Sequence, residues 1–199
     1  MSTRDTILAA VRAARLSGAD RPAADLPNVL DEVRRFPRAS GDAVARFVAA
    51  ARETAVDVVE RTRAELPSWI ETRFPSARTV VSTCAIVPGT ATNHASPASF
   101  GDTDLFVCEA AFGVAENGAV WLPGSSLGER AALFLATDIL VLLSRQAIVD
   151  DVHAAYARLD LSREAFGVFV AGPSKTADIE QSLVIGAHGP KGMTLALVD

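Results

Sequence analysis

Three glycine-bearing stretches in the second half of the chain carry the residue types that chemistry needs. The first is Gly172-Pro173-Ser174-Lys175-Thr176-Ala177-Asp178-Ile179-Glu180, directly after the apolar run Gly167 to Ala171. Glycine lets a backbone approach a ligand closely, and Pro173 stiffens the turn. Ser174 or Thr176 would cap a following helix, whose free N–H groups favour an anion. Lys175 adds a positive charge. Asp178 and Glu180 would repel a phosphate and fit better as acceptors for substrate hydroxyls or for a neighbouring Arg or Lys. The same text also reads as a capped helix start with acids placed for its dipole. The second stretch, Gly186-Ala187-His188-Gly189-Pro190-Lys191-Gly192, holds a histidine between glycines. His188 suits a general acid/base or a ligand-facing group, or is simply exposed in a turn. The two loops flank Ile179 to Ile185 and would close on one site. The third stretch is Val114-Ala115-Glu116-Asn117-Gly118-Ala119-Val120-Trp121-Leu122. Asn-Gly is a strong hairpin signal, which leaves Glu116 at a hairpin rim. The other reading makes Glu116 a carboxylate nucleophile, base or acceptor in a cleft.

Several chemistries lack their residues. There is no Gly-x-Gly-x-x-Gly, no Walker-type Gly-x-x-x-x-Gly-Lys-Ser/Thr and no Gly-x-Ser-x-Gly, so dinucleotide, P-loop and hydrolase-elbow sites are unsupported. Pro123-Gly124-Ser125-Ser126-Leu127-Gly128-Glu129-Arg130 offers backbone donors without a Walker lysine. The two cysteines, Cys84 and Cys108, form no Cys-x-x-Cys pair, and the chain has 3 histidines without metal spacing. This chain by itself therefore holds no iron–sulfur cluster or zinc ribbon. Both thiols lie in apolar text and read as buried and free, in a reducing compartment.

The elements that must position these loops follow from patterning. The 199 residues suffice for one domain with a core, and 49% hydrophobic against 22% charged residues is globular. Net charge is -5 and the pI about 5.2. No Lys/Arg cluster supports nucleic-acid binding. The longest apolar run, Ala131 to Leu143, is broken by Thr137-Asp138 and too short to span a bilayer. No signal peptide is read at Met1-Ser2-Thr3-Arg4-Asp5, so a cytoplasmic location is expected.

Residues 1–40 read as a partly helical N-terminal arm, with a helix over Ser2 to Leu16 and irregular text through Pro27 and Pro37. It would pack on the body or on a partner subunit, and a homo-oligomer is left open. Ser40-Gly41-Asp42 starts a helix. Apolar residues from Val44 to Leu66 recur at spacings of three and four, which predicts one continuous helix ended by Pro67. Strands are expected at Thr79–Thr83, Asp104–Glu109, Val114–Leu122, Ile139–Leu143, Gly167–Ala171 and Thr194–Val198, and a helix at Ala147–Leu159. His153 falls on that helix, facing solvent. Strand, helix, strand predicts a parallel pair between Ile139–Leu143 and Gly167–Ala171. In open α/β sheets ligands sit at the carboxyl ends of strands, which is why the loops after strands draw attention. The expected fold is a single α/β domain over residues 41–199, with a central, mostly parallel sheet flanked by helices.

The long stretch Gly172 to Glu180, followed by Gly186-Ala187-His188-Gly189-Pro190, closely resembles the C-terminal signature of the LUD-domain family, lactate-utilization protein C type. Ala115-Glu116-Asn117-Gly118-Ala119-Val120 sits where that family usually shows a run like Ala-Glu-Thr-Gly-Thr. Glu129-Arg130-Ala131-Ala132-Leu133-Phe134-Leu135 and the strand Ile139 to Leu143 fall in the expected order. The resemblance covers roughly residues 75–199. It departs at Asn117 and Ala119, where two hydroxyl residues are usual.

The resemblance implies a fold like that of ribose-phosphate isomerases, CoA transferases and formyl-tetrahydrofolate cyclo-ligases. It also implies a non-redox subunit in the oxidation of L-lactate to pyruvate, working beside cysteine-rich and iron–sulfur partner proteins. The clusters would sit on those partners, with no cofactor on this chain. In that reading Gly172, Pro173, Ser174, Lys175, Thr176, His188 and Gly189 hold a small carboxylate, while Asp178, Glu180 and Arg130 shape the pocket beside Asn117 and Gly118. The alternative is a stand-alone enzyme of the same fold acting on a CoA thioester, sugar phosphate or folate, with Glu116 as nucleophile or base, since some CoA transferases use a glutamate in a Glu-Asn-Gly context.

Overall fold

The computed structural model describes residues 3–17, 41–90, 96–160, 162–177 and 183–199. The chain divides into two units, Met1–Pro37 and Arg38–Asp199. In the first, helix α1 spans Thr3–Ser17, close to the expected helix, and its Ile7, Leu8 and Val11 are exposed. The irregular text expected after it lies outside the described residues.

The second unit opens as the sequence predicts. The Asp42 carboxylate accepts from the Val44 N–H at 2.9 Å and caps helix α2, Ala43–Glu53. The expected continuation to Leu66 does not occur. Thr54 ends the helix, Ala55 takes a positive φ of 65°, and Asp57–Glu60 form strand β1. The face at spacings of three and four holds through Ala51. Beyond it the β-branched Val56 and Val58 are buried at the strand period of two. Pro67 does not end a helix but stands in the first turn of helix α3, Leu66–Arg73. There its fixed φ and missing N–H cost nothing.

The remaining strands are β2 (Val80–Ser82), β3 (Leu105–Glu109), β4 (Phe112–Val114), β5 (Ala119–Pro123), β6 (Asp138–Ser144), β7 (Ile148–Val149), β8 (Gly167–Val170), β9 (Lys175–Ala177), β10 (Leu183–Ile185) and β11 (Gly192–Val198). Between them lie the short helices α4 (Gly124–Leu127), α5 (Ala131–Leu135) and α6 (Val152–Arg158). The central sheet is parallel throughout, in the order β1–β11–β6–β3–β2. In β6, Ile139, Val141 and Leu143 enter one core, and Leu140 and Leu142 the other. That is why the run is continuously apolar: both faces are covered. Helix α3 covers one face with Leu66 and Ile70. On the other, Phe47 and Ala51 of α2 pack with Leu127 and Leu133. Each fully buried Leu or Phe contributes roughly 1.5–3 kcal/mol.

A second, four-stranded sheet runs β7–β4–β5–β8. Strand β4 follows β3 after Ala110-Ala111, and β7 follows β6 after the 3-10 turn Arg145–Ala147. Strands β4 and β7 pair in parallel; β5 pairs antiparallel to both β4 and β8. The predicted parallel pair of Ile139–Leu143 with Gly167–Ala171 is therefore replaced: β6 and β8 lie in different sheets. The helix expected over Ala147–Leu159 starts only at Val152, where the Asp151 carboxylate accepts from the Ala154 N–H at 2.7 Å. Ile148 and Val149 pair with β4 instead. The two sheets sandwich α2: Gly113 of β4 lies against both Phe47 and Leu143.

Candidate functional site

The two glycine-rich loops of the second half do close on each other. The Ser174 N–H donates to the Pro190 carbonyl at 3.0 Å, and the Gly186 N–H donates to the Ser174 carbonyl at 2.9 Å. Gly189 packs against the Ser174 side chain, so close that an added Cβ would lie 3.0 Å from it. No helix begins at Ser174 or Thr176. Residues Lys175–Ala177 form β9, which pairs antiparallel with β10. Ser174 thus serves the backbone of a turn rather than a helix cap. Asp178 and Glu180 lie outside the described residues.

The position of this turn in the fold differs from the expected one. The Lys191 N–H donates to the Thr137 carbonyl at 2.7 Å, immediately before β6 begins at Asp138. The loops therefore meet the amino ends of β6 and β11, not the carboxyl ends of the parallel strands. The second sheet is the reason. It runs back along α2, so the carboxyl end of β8 arrives at Thr54, just before β1. There Gly172, at φ 87°, lies on the Thr54 carbonyl, and an added Cβ would come within 2.2 Å of that oxygen. The Lys175 ammonium donates to the same carbonyl, a favourable place for a cation at a helix C-terminus.

The Asn-Gly stretch forms the expected hairpin between β4 and β5, with the Gly118 N–H donating to the Val114 carbonyl at 2.9 Å. Asn117 Oδ1 accepts from the Ala119 N–H at 3.0 Å, an Asx turn. Gly118, at φ 68°, is pressed on the α2 backbone at Ala50 and Ala51. It stands two residues beyond the Val120–Val170 pair, and on the partner strand the same step reaches Gly172. The structure thus brings Gly118 and Gly172 together on the last turns of α2. Glu116 points elsewhere: its Oε2 accepts from the Val152 N–H at 2.8 Å, in the first turn of α6. Arg130 is separate too. Its guanidinium lies 4.2 Å from the Phe166 ring centroid, a cation–π contact at the start of α5. His188 is exposed.

Sequence reasoning did not assign the polar groups that the loops meet. Asp138 Oδ1 lies so close to Gly192 that a Cβ there would sit 2.1 Å from it. Desolvation pushes the Asp138 carboxyl above its ordinary range, against the pull of Arg73 and Lys191. Thr103 is buried and its hydroxyl lacks a partner among the described residues, while its carbonyl accepts from the Thr137 N–H at 2.9 Å. The one available signal was Thr137-Asp138 interrupting an apolar run. At the opposite, carboxyl end of the sheet, Arg63 pairs with Glu109, and Arg145 with Glu60. Burial pushes the nearby Cys84 thiol up to about 11 and raises Cys108 further; both are buried and free. No group of three His, Cys, Asp or Glu gathers in metal-binding fashion, and no helix is long and apolar enough to cross a membrane, among the described residues.

Residues 95–198 match the family model of the LUD domain. The chain is similar to lactate utilization protein C of Bacillus pumilus (strain SAFR-032), 33% identical over 92 residues, covering 43% of this chain and 38% of that protein. It is also similar to the protein of the same name from Anoxybacillus flavithermus, 34% identical over 86 residues, covering 43% and 39%. The chain thus aligns with less than half the length of the curated relatives it matches. Its fold is like that of a solved DUF162 family protein from Deinococcus radiodurans, with a TM-score of 0.59 at 18% identity over 82% of this chain and 100% of that one. The matched segment contains both interlocked loops and the Asn-Gly hairpin, and on that match the chain belongs to the LUD-domain family.

Proposed function

We propose that this chain acts in lactate utilization, as a non-redox subunit of a system that oxidises L-lactate to pyruvate. The carrying observation is the LUD-domain match over 95–198, with relatives named lactate utilization protein C on the same segment. Oxidising lactate removes two electrons and two protons. The electrons require a redox group, which in this reading belongs to cysteine-rich and iron–sulfur partner subunits. This chain's part is to bind a small carboxylate or to dock those partners.

The interlocked loops supply the means. Ser174 is held by backbone hydrogen bonds to Pro190 and Gly186 and packs against Gly189, and His188 stands exposed on the same turn. His188 and the Ser174 hydroxyl are the groups assigned to the carboxylate or to the partner. Lys175 and Glu116 take positioning roles, because each is engaged at an α2 or α6 helix end.

The test is genetic and biochemical together. Deleting the gene from its host is expected to abolish growth on L-lactate while leaving growth on glucose intact. A tagged chain is expected to co-purify with an iron–sulfur protein identified by its visible absorbance. Complementation with His188→Ala is expected to restore growth poorly. Normal growth of the deletion strain on L-lactate would sink the assignment.

A further inference from the structure

A candidate site lies on the other side of the small sheet, apart from the interlocked loops. Beyond the carboxyl end of β3, a cavity of about 450 Å³ opens between the β4–β5 pair and the end of α6. Phe112 and Trp121 line its floor beside Pro123 and Leu159, and Arg158, Asp160, Arg163 and Glu164 supply the charged groups at its mouth. That volume falls within the range of small-molecule sites. The location also agrees with the general placement of ligands outside the carboxyl ends of parallel strands.

The floor is rigid for identifiable reasons. Gly167 lies flat against the Trp121 indole, where an added Cβ would come within 2.3 Å of the ring. Trp121 also stacks on Phe112, with centroids 6.3 Å apart and planes at 18°, and contacts Phe169 at 4.6 Å. Both floor side chains are more than nine-tenths buried, so packing holds the cluster in place and leaves only its rim facing the cavity.

The charges at the mouth are unequal in their engagement. Asp160 accepts from the Ser162 N–H at 3.1 Å and pairs with Arg163 at 3.2 Å. The Glu164 carboxylate accepts from the Ser125 N–H at 3.3 Å and from its hydroxyl at 2.5 Å. Arg158 has no carboxylate partner among the described residues. Its guanidinium is the cation left to meet an incoming acid, and it offers a planar pair of donors that matches a carboxylate.

We infer that this cavity binds an organic monoacid with an aromatic body, carboxylate on Arg158 and ring on the Phe112–Trp121 floor. A three-carbon acid such as lactate would leave most of that volume unfilled. This inference is independent of the lactate-utilization reading, because none of Ser174, His188 or Gly189 lines the cavity.

The probe is 3-phenylpropionate, with 3-phenylpropylamine as the charge-reversed control and L-lactate as the control without a ring. Binding is followed by calorimetry and by the indole N–H signals of Trp69 and Trp121 in a nitrogen-15 spectrum of the full chain. The expected result is saturable binding of the acid that moves the Trp121 signal and not that of Trp69. The amine and lactate are expected to bind at least tenfold more weakly. Arg158→Gln is expected to weaken the acid about tenfold with an unchanged unfolding midpoint, since Arg158 is exposed. Arg163→Gln, whose charge is shared with Asp160, is expected to weaken it less. Equal binding of acid and amine, an unaltered affinity in Arg158→Gln, or no saturable shift at Trp121 would each overturn the inference.

Discussion

Replacing Gly118 by alanine tests how tightly the Asn-Gly hairpin is seated on α2. Two independent costs arise. Gly118 sits at φ 68°, a conformation that costs an L-residue roughly 1–2 kcal/mol. The added Cβ would also lie 2.4 Å from the Ala51 nitrogen, 2.6 Å from its Cα and 2.7 Å from the Ala50 carbonyl carbon. All three are backbone atoms inside a helix, so no rotamer change relieves the overlap. The hairpin must lift from α2 or the helix must shift, at an overpacking cost of about 1–3 kcal/mol. The sum, about 2–5 kcal/mol, corresponds to a fall in Tm of about 4–20 °C for a unit of this size. Thermal and urea unfolding followed by circular dichroism measures it. The matched control is Gly101→Ala, where φ is not positive and nothing lies within 4 Å of the added Cβ; it is expected to be nearly neutral. A Gly118→Ala protein melting within about 2 °C of wild type would refute the reasoning.

Asp138→Asn is expected to raise Tm at neutral pH, because desolvation opposes the ionised form of Asp138 in the folded state. A carboxyl whose folded pKa is raised destabilises the fold above its unfolded pKa, and that effect is relieved as pH falls. The gain should therefore shrink as pH approaches about 4, the unfolded aspartate value; a gain that grows on acidification would contradict this. Cys84, pushed up to about 11 mainly by burial, and the more deeply buried Cys108 should react negligibly with a disulfide reagent at pH 7.5 until the protein is unfolded in guanidinium. Rapid reaction of either in the native protein would contradict the burial. Arg63→Ala removes an ion pair whose partners are 40% and 43% exposed, and should change stability by less than about 1 kcal/mol in urea unfolding. Phe47→Ala, wholly buried between α2 and the sheets, should cost about 3–5 kcal/mol in the same measurement.

Much of the fold was legible where local signals were strong. The Asp42 cap, the Asn-Gly hairpin and the doubly apolar strand β6 are determined by contacts within a few residues or by burial on both faces. The errors share one cause. From Ala55 to Glu60, and again at Ile148-Val149, short β-branched segments carry apolar residues whose spacing fits a helix as well as a strand. Their pairing partners, β11 and β4, are remote in the chain, so nothing local decides between the two. Gly172-Pro173-Ser174 reads as a helix start for the same reason. Its turn is completed by Pro190 and Gly186, which no local pattern predicts.

At the candidate site the division is similar. The residue types, the glycines at their turns and the family signature were determined by the sequence alone. That the two loops interlock, that Gly118 and Gly172 both bear on α2, and that Lys175 and Glu116 are engaged at helix ends were decided only by tertiary structure. So was the placement of the loops at the amino ends of β6 and β11. The physical reason is that a second sheet packs across α2 and reverses the direction of approach. A strand's carboxyl end is local information; which end of a neighbouring sheet it meets depends on how two sheets share one helix.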